Sequence, residues 1–233
     1  NSVKDLTGIV AEVVDGATGT GLKTLASATL TNFQPFEIGA DYSDTGVPTL
    51  KSELAKAYDL LLDFPADIVV PVGFYVDVNT ATKQVNKENA DKLADFCAKA
   101  SARSGRTIGV IAASPLDNPT PARIALYVNT LTDVSFSNLY PGEDGDNGKF
   151  INITVGEILF NDGNIGTYSD VQAAAYAGLI SSLRPHSATT NKIVANAVGL
   201  KYVLHPQQLN DLSAKRLVTF RNKLTSGIVC TDG

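Results

Sequence analysis

The chain has 233 residues, of which 44% are hydrophobic and 18% are charged, and its formal net charge at pH 7 is −5. This composition is typical of a globular protein and argues against disorder, and the length suits one large domain or one medium and one small domain. The net negative charge argues against a nucleic-acid partner, and because no apolar run approaches the ~18 residues of a membrane helix, we expect a soluble protein without a membrane partner.

Residues 1–48 are rich in Gly, Thr, Ser and Asp, with short apolar stretches, and are predicted to form a small β-rich, loop-rich portion or insertion. From Thr49, a predicted N-cap, apolar residues recur at helical spacing until Pro65 stops the helix. The apolar run Ile68–Val72 then predicts a buried strand.

Helices and strands alternate along the next hundred residues. A small-residue and apolar stripe from Ala90 to Ala100 predicts a helix that ends by Gly105, and Thr120 with Pro121 predicts the start of the next helix. Ile124, Tyr127, Val128 and Leu131 are predicted to lie on the inner face of that helix. The remaining elements predicted here are strands at 106–113, 150–155 and 158–160 and a helix over about 169–183. This alternation indicates a mixed α/β fold, a layered and partly parallel sheet with helices on both faces.

A stretch similar to a phosphate-binding loop begins at Gly16 and runs Gly-Ala-Thr-Gly-Thr-Gly-Leu-Lys-Thr. In a working loop the lysine directly follows the last glycine, so that its ammonium reaches the phosphates. Here Leu22 separates Gly21 from Lys23, and the stretch is better interpreted as a flexible turn.

The acidic loop from Asp144 to Gly148 begins like a calcium-binding loop. Lys149 stands where such a loop requires glycine, and Val155 where it requires a bidentate glutamate. These two positions exclude a calcium site of the helix-loop-helix type, so a solvated surface loop is the preferred interpretation.

Two histidines and one serine are the residues in this sequence that resemble catalytic or metal-binding groups. His186 and His205 are the only histidines, and neither has cysteines or carboxylates at metal-ligand spacing. His205, before Pro206, is interpreted as a residue that starts a helix. Ser114 follows a strand but lacks the flanking glycines of a nucleophile elbow, so a triad with Asp117 and a remote histidine would depend on the fold alone.

The other reactive or charged groups have structural interpretations. The local basic cluster, which consists of Lys215, Arg216, Arg221 and Lys223, is interpreted as a solvated face and a helix C-terminus. Cys97 and Cys230 are expected to be buried free thiols, as suits a reducing cytoplasm.

The last third of the sequence carries several features in a fixed order. A strand that ends in a turn, Ile158–Gly163, precedes a small-residue helix, Ala173–Gly178, and then the irregular segment Pro185–Lys192. The paired leucines of Leu204–Leu212 and the strand Gly227–Gly233 complete the series. In this order and spacing, the segment resembles the contractile tail sheath proteins of bacteriophages of the myovirus type.

The resemblance implies a structural protein and not an enzyme, with no catalytic, cofactor-binding or metal-binding residue and no cofactor. In that family many subunits polymerise into a helical sheath around the tail tube, and its contraction drives the tube through the host envelope for genome ejection. The implied partners are other sheath subunits, the tail tube protein and the baseplate. The implied location is the tail sheath of the virion, after assembly in the bacterial host cytoplasm.

The resemblance also implies a division of the chain. Residues 1–48 would be the small β-rich portion, 49–163 the α/β sheath middle domain, and 164–233 the start of a sheath core domain truncated at its C-terminus. Family members link neighbouring subunits through N- and C-terminal arms that add strands across subunits. Because position 1 is Asn, Met is absent and the closing Asp232–Gly233 pair is typical of a turn into another strand, we interpret the sequence as an internal fragment without these arms, expected to stay monomeric.

Two alternatives stay open from the sequence. One is a cytosolic α/β enzyme or small-ligand-binding protein whose site is too dispersed to recognise, which would need a deep pocket near Ser114, Asp117 and a histidine. The other is the sheath of a related injection machine, such as a tailocin or a type VI secretion system.

Overall fold

The computed structural model of the chain describes residues 54–55, 57–63, 66–140, 146–162, 166–184 and 187–231. The chain divides into two units, Asn1–Ala57 and Tyr58–Gly233. The predicted portion 1–48, the predicted N-cap Thr49 and the stop at Pro65 lie outside the described residues. The fold given below is therefore that of the second unit.

Strands and helices alternate through the described part of this unit, after a short helical stretch at 58–61. The strands are β1 (Ile68–Val69), β2 (Tyr75–Asn79), β3 (Gln84–Asn86), β4 (Ile108–Ala113), β5 (Ile151–Thr154), β6 (Glu157–Asp162), β7 (Gly166–Val171), β8 (Ala197–Leu200), β9 (Phe220–Lys223) and β10 (Gly227–Cys230). The helices are α1 (Glu88–Ser104), α2 (Pro121–Asp133), α3 (Phe136–Leu139), α4 (Gln172–Ser182) and α5 (Pro206–Ala214), with a 3-10 helix at Asp146–Phe150.

Strand β4 is the centre of the main sheet. It pairs in parallel with β5 on one edge, and on the other edge with β1 and then with β2, both also in parallel. The predicted strand Ile68–Val72 is therefore shorter than expected, because only Ile68 and Val69 pair with β4. Pro71 has no backbone N–H to donate, so it interrupts the edge between β1 and β2. The α/β fold with a partly parallel sheet is confirmed.

The sheet continues past β5 into the C-terminal segment. The N–H of Val218 donates to the carbonyl of Ile153 at 2.8 Å, and the N–H of Val155 donates to the carbonyl of Val218 at 2.8 Å. Just after these bonds, the chain becomes β9, which forms an antiparallel hairpin with β10. Residues before and after position 163 thus contribute to one hydrogen-bonded layer.

Strand β10 has hydrogen-bonded neighbours on both edges. One neighbour is β9, and the other is the extended segment around Ile193, which bridges Val229 in antiparallel register. The N–H of Asn191 donates to the carbonyl of Cys230 at 2.8 Å, and the N–H of Val194 donates to the carbonyl of Ile228 at 2.9 Å. The end of the irregular segment predicted at 185–192 therefore lies at the outer edge of this layer, among the described residues.

A second, antiparallel sheet has the order β7-β6-β8. In its hairpin, β7 pairs with β6 from Val171 opposite Glu157 to Gly166 opposite Asp162. The prediction of a helix from about residue 169 is wrong at its start, because Gly166–Val171 is a strand and the helix begins only at Gln172. The β2–β3 hairpin was also not predicted.

Helices cover both faces of the main sheet, as predicted. Leu93 of α1 lies so close above Gly109 of β4 that a Cβ at Gly109 would be 2.6 Å from the Leu93 side chain. On the opposite face, Tyr176 of α4 packs in one core cluster with Val110 of β4 and Phe220 of β9. Both helix boundaries predicted from capping are confirmed: α1 ends at Ser104 with Gly105 as its C-cap, and the side chain of Thr120 accepts a hydrogen bond at the start of α2.

The predicted inner residues of α2 and both cysteines are buried. The four α2 residues named above are among its buried side chains, so its predicted inner face is confirmed. Cys97 and Cys230 are free and buried, as predicted. Burial raises the pKa of the Cys97 thiol to about 12, so this thiol is protonated near neutral pH.

Candidate functional site at the carboxyl end of the central strand

The carboxyl end of a central parallel strand is where open α/β sheets usually bind ligands, and here that end is formed by Ser114, Pro115 and Leu116. The hydroxyl of Ser114 accepts a hydrogen bond from the N–H of Val78 at 3.0 Å. Its carbonyl accepts one from the hydroxyl of Tyr127 at 2.8 Å. Ser114 therefore connects β4 to β2 and to α2, which is a structural role.

A buried carboxylate lies beside this strand end. Glu157, the first residue of β6, is 4% exposed, and Gly156 before it has φ +115, a conformation that favours glycine. One oxygen of Glu157 accepts the N–H of Leu116 at 3.2 Å. Its other oxygen is 2.7 Å from the ammonium of Lys201. The backbone N–H of Lys201 also donates to the backbone carbonyl of Glu157. The ion pair therefore ties the β4–α2 connection to β6 and to the residue after β8.

Two tyrosines share this environment. Burial, followed by the effects of Tyr202 and Glu157, raises the pKa of Tyr127 well above its ordinary value. Burial and then Glu157 raise the pKa of Tyr202 in the same direction. Both phenols are neutral near pH 7 and can donate hydrogen bonds there, but they are not placed to act as bases.

We expect the free energy of unfolding to fall as the pH rises above 10. The folded-state pKa values of Tyr127 and Tyr202 exceed the ordinary 10.0, so the folded protein keeps protons that the unfolded chain releases. Their contribution is complete below pH 10 and is lost as the pH rises through the folded-state values, at up to about 1.4 kcal/mol per pH unit for each group. Urea unfolding between pH 8 and 11.5 measures this slope. Tyr202→Phe should flatten it, and an unchanged slope would contradict the assignment.

His205 caps a helix, as the sequence predicted. Its Nδ1 accepts the N–H of Gln207 at 3.3 Å, while the side chain of Gln208 accepts the N–H of His205 at 2.8 Å, which completes a capping box at the start of α5. His205 also lines a groove of about 430 Å³ with the following residues: Pro121, Ile124, Val203, Leu204, Pro206 and Gln208. Neither Ser114 nor Asp117 is among these lining residues, and His186 lies outside the described residues.

The hydrogen bonds of Ser114, Asp117 and His205, the residues of the disfavoured triad that the structure describes, go to other partners and do not join the three residues. The hydroxyl of Ser114 accepts the N–H of Val78, and the guanidinium of Arg123 donates to the backbone carbonyl of Asp117 at 3.1 Å. The structure instead brings together Glu157, Lys201, Tyr127 and Tyr202, none of which the sequence singled out for this role. No sequence signal could join Glu157 to Lys201, since 44 residues separate them.

The structure describes only part of the two loops that resemble phosphate- and calcium-binding motifs. The stretch that begins at Gly16 lies outside the described residues, as do Asp144 and Gly145 of the acidic loop. The rest of that loop belongs to the 3-10 helix Asp146–Phe150. Within the ranges that the structure covers, no three His, Cys, Asp or Glu residues are grouped so as to hold a metal ion. No helix of those ranges is long and apolar enough to cross a membrane.

The basic cluster proposed from the sequence divides into two pairs. The ammonium of Lys215, at the end of α5, donates to the carbonyl of Val134 at 2.7 Å, and Arg216 lies over the ring of Phe136. Arg221 and Lys223 belong to β9 and both donate to Asn191. Only the first pair fits the predicted helix C-terminus.

No family model and no curated protein matches the chain. Among solved structures, the chain is similar to the anti-feeding prophage (AFP) helical sheath in its contracted state, at 11% sequence identity and a TM-score of 0.45, over 77% of this chain and 42% of that chain. It is also similar to a chain of the AFP baseplate, at 11% identity and a TM-score of 0.34, over 61% of this chain and 41% of that one. The chain thus spans less than half the length of either structure.

Proposed function

We propose that the protein is a structural subunit of a contractile sheath. The observation that carries this proposal is the ordered series of features between Ile158 and Gly233, which resembles contractile tail sheath proteins. The described residues of that series run from β6 through α4 and α5 to the β9–β10 hairpin. The proposal is consistent with the polar cluster at the buried Glu157, which holds elements together and offers no paired nucleophile and base.

The fold suits a subunit that moves as a rigid body. Strands β1 to β5 and the β9–β10 hairpin share one hydrogen-bonded layer, which α1 and α4 cover from opposite faces. The pair between the buried Glu157 and the partly exposed Lys201 fastens the second sheet, β7-β6-β8, beside this layer. Sheath contraction requires many copies to change their mutual contacts while each copy keeps its own fold. In this proposal, the free energy of contraction is stored between subunits and not within the described fold.

The finer proposal is a phage tail. There the sheath would surround the tail tube, stand on the baseplate and drive the tube through the host envelope for genome ejection, after assembly in the bacterial cytoplasm. The division at residue 163 into a middle and a core domain, and the linkage of subunits by terminal arms, belong to this finer proposal.

Electron microscopy of the complete gene product beside the 233-residue chain tests the proposal. We expect hollow helical tubes from the complete product and dispersed particles from the 233-residue chain at the same concentration. Regular tubes from the 233-residue chain alone would contradict the role given to the arms. Dispersed particles from both proteins would contradict the sheath function and make ligand screening of the groove beside His205 the next step.

A second measurement separates a phage tail from a related injection machine. Gold-labelled antibodies raised against the 233-residue chain should decorate contractile particles in lysates of the producing bacterium. Decorated sheaths that carry DNA-filled heads would support the phage tail, whereas decorated sheaths without heads would favour a tailocin or a secretion apparatus.

A further inference from the structure

Two positive side chains share one uncharged acceptor on the outer part of the main sheet. The guanidinium of Arg221 and the ammonium of Lys223 donate to the Oδ1 atom of Asn191 at 3.2 and 2.7 Å. Because both groups bond the same atom, their charges lie within about 6 Å of each other, where like charges repel. Within the described residues, neither group forms an ion pair with a carboxylate.

These cations lie on the face of the sheet that α4 does not cover. Phe220 and Ile228 belong to the core cluster beneath α4, and side chains alternate between the two faces along each strand. Arg221 is in register with Val229, which in turn is bridged to Ile193. We call the surface formed by Arg221, Lys223, Asn191 and Ile193 the cationic face.

The cationic face combines charge with exposed apolar surface. Ile193 is 57% exposed, and it lies on the outermost chain of the layer among the described residues. Arginine beside exposed aliphatic side chains is common at protein interfaces. A small anion would neutralise the two cations but leave Ile193 in water, whereas a protein surface with carboxylates would cover both.

We propose that the cationic face docks carboxylates of a second copy of this chain. The chain supplies the complementary charge, since it has 24 Asp and Glu residues against 19 Lys and Arg residues and a net charge of −5. A neighbouring copy therefore presents an excess of carboxylates, and their approach would relieve the repulsion between Arg221 and Lys223. The inference rests on the proposed function, because neighbouring sheath subunits are the copies that would meet there.

Zero-length carbodiimide coupling, which joins a lysine amine only to a carboxylate in contact with it, tests the docking. Tubes are assembled from equal parts of ¹⁵N-labelled and unlabelled full-length protein, coupled and analysed by peptide mass spectrometry. We expect Lys223 to be joined to an Asp or Glu of another copy, seen as peptide pairs of mixed isotope. Lys99, which is 3.4 Å from Asp59 of the same chain, is the internal control and should give pairs of a single isotope.

Matched variants separate the effect of the positive charge at positions 221 and 223 from the ability of the Lys223 amine to be coupled. Lys223→Arg keeps the charge but cannot couple, so tubes should form without the cross-link. Arg221→Glu combined with Lys223→Glu should raise the protein concentration needed for tube formation at least tenfold. The thermal unfolding midpoint should change little, because Arg221 is exposed and Lys223 is partly exposed on β9.

Several results would overturn the inference. The inference is overturned if wild-type tubes show no mixed-isotope link at Lys223, or if Lys223 is linked to a different protein. It is also overturned if the double charge reversal forms normal tubes. Each of these results leaves the sheath function intact. If the wild-type protein forms no tubes, the proposed function fails. Sedimentation of the full chain at low salt then tests whether two copies associate through the cationic face. Self-association abolished by the double reversal would support it, and a monomer at all concentrations would overturn it.

Discussion

Replacement of Lys201 by methionine is expected to destabilise the fold by about 3 kcal/mol at pH 7, the scale measured when one partner of a buried ion pair is removed. Glu157 is 4% exposed, and Lys201 is the cation that lies 2.7 Å from it. After the replacement, the carboxylate would keep the N–H of Leu116 as its neutral donor and lose its countercharge. Urea unfolding monitored by circular dichroism measures the change.

Two comparisons make this prediction specific to the buried pair. Lys99→Met removes an exposed pair, in which the side chains of Lys99 and Asp59 are 59% and 61% exposed, and should cost less than about 1 kcal/mol. Combining Lys201→Met with Glu157→Gln should recover part of the lost stability, because no charge then remains buried. Equal losses for Lys201→Met and Lys99→Met would show that Glu157 is solvated and that the pair does not fasten the two sheets.

The second large effect is expected where α1 meets β4. A Cβ at Gly109 would be 2.6 Å from the side chain of Leu93, so Gly109→Ala should cost about 2 kcal/mol by overpacking. Leu93→Ala alone should cost about 3 kcal/mol, because Leu93 is fully buried and its removal leaves a cavity. In the double variant the new methyl group occupies part of that cavity, so its loss should be smaller than the sum of the two by about 1 kcal/mol or more.

Gly178 offers a matched control for this experiment. It lies within helix α4, and a Cβ built there would meet nothing within 4 Å. Gly178→Ala should therefore stabilise the protein by about 0.5 to 1 kcal/mol through helix propensity. Strict additivity of the Gly109 and Leu93 substitutions, measured by the same urea unfolding, would contradict the close contact between α1 and β4.

Local signals predicted the elements whose ends are marked by capping or by glycine. Thr120 with Pro121 marked the start of α2, and Gly105 marked the end of α1, since both residues act on the helix ends through their own backbone or side chain. The predicted start of α4 was wrong because that boundary depends on pairing with another strand and not on a local signal. Residues Gly166–Val171 pair with β6 in a hairpin, and this cross-strand pairing outweighs the local preference of Ser169 and Asp170 to begin a helix.

The candidate site could not be predicted from the sequence either, because its contacts join residues that are far apart in the chain. Its hydrogen bonds join Glu157 to Leu116 over 41 positions and to Lys201 over 44. Neither distance has a periodicity that marks a contact, and single glutamates and lysines are common at surfaces. The sequence could exclude phosphate and calcium loops by their missing residues, but it could not identify which isolated charges the fold buries together.

The pairing of Val218 with β5 also determines when this fold can be completed in the cell. Ile153 and Val155 are translated about sixty residues before their hydrogen-bonding partner Val218, which takes several seconds at about 5 to 20 residues per second. During that interval the growing polypeptide presents the edge of β5 without its neighbour, and an open apolar strand edge invites pairing with other nascent chains. A ribosome that stalls between residues 155 and 217 would therefore hold an aggregation-prone intermediate, for which holding chaperones at the exit tunnel are the natural protection.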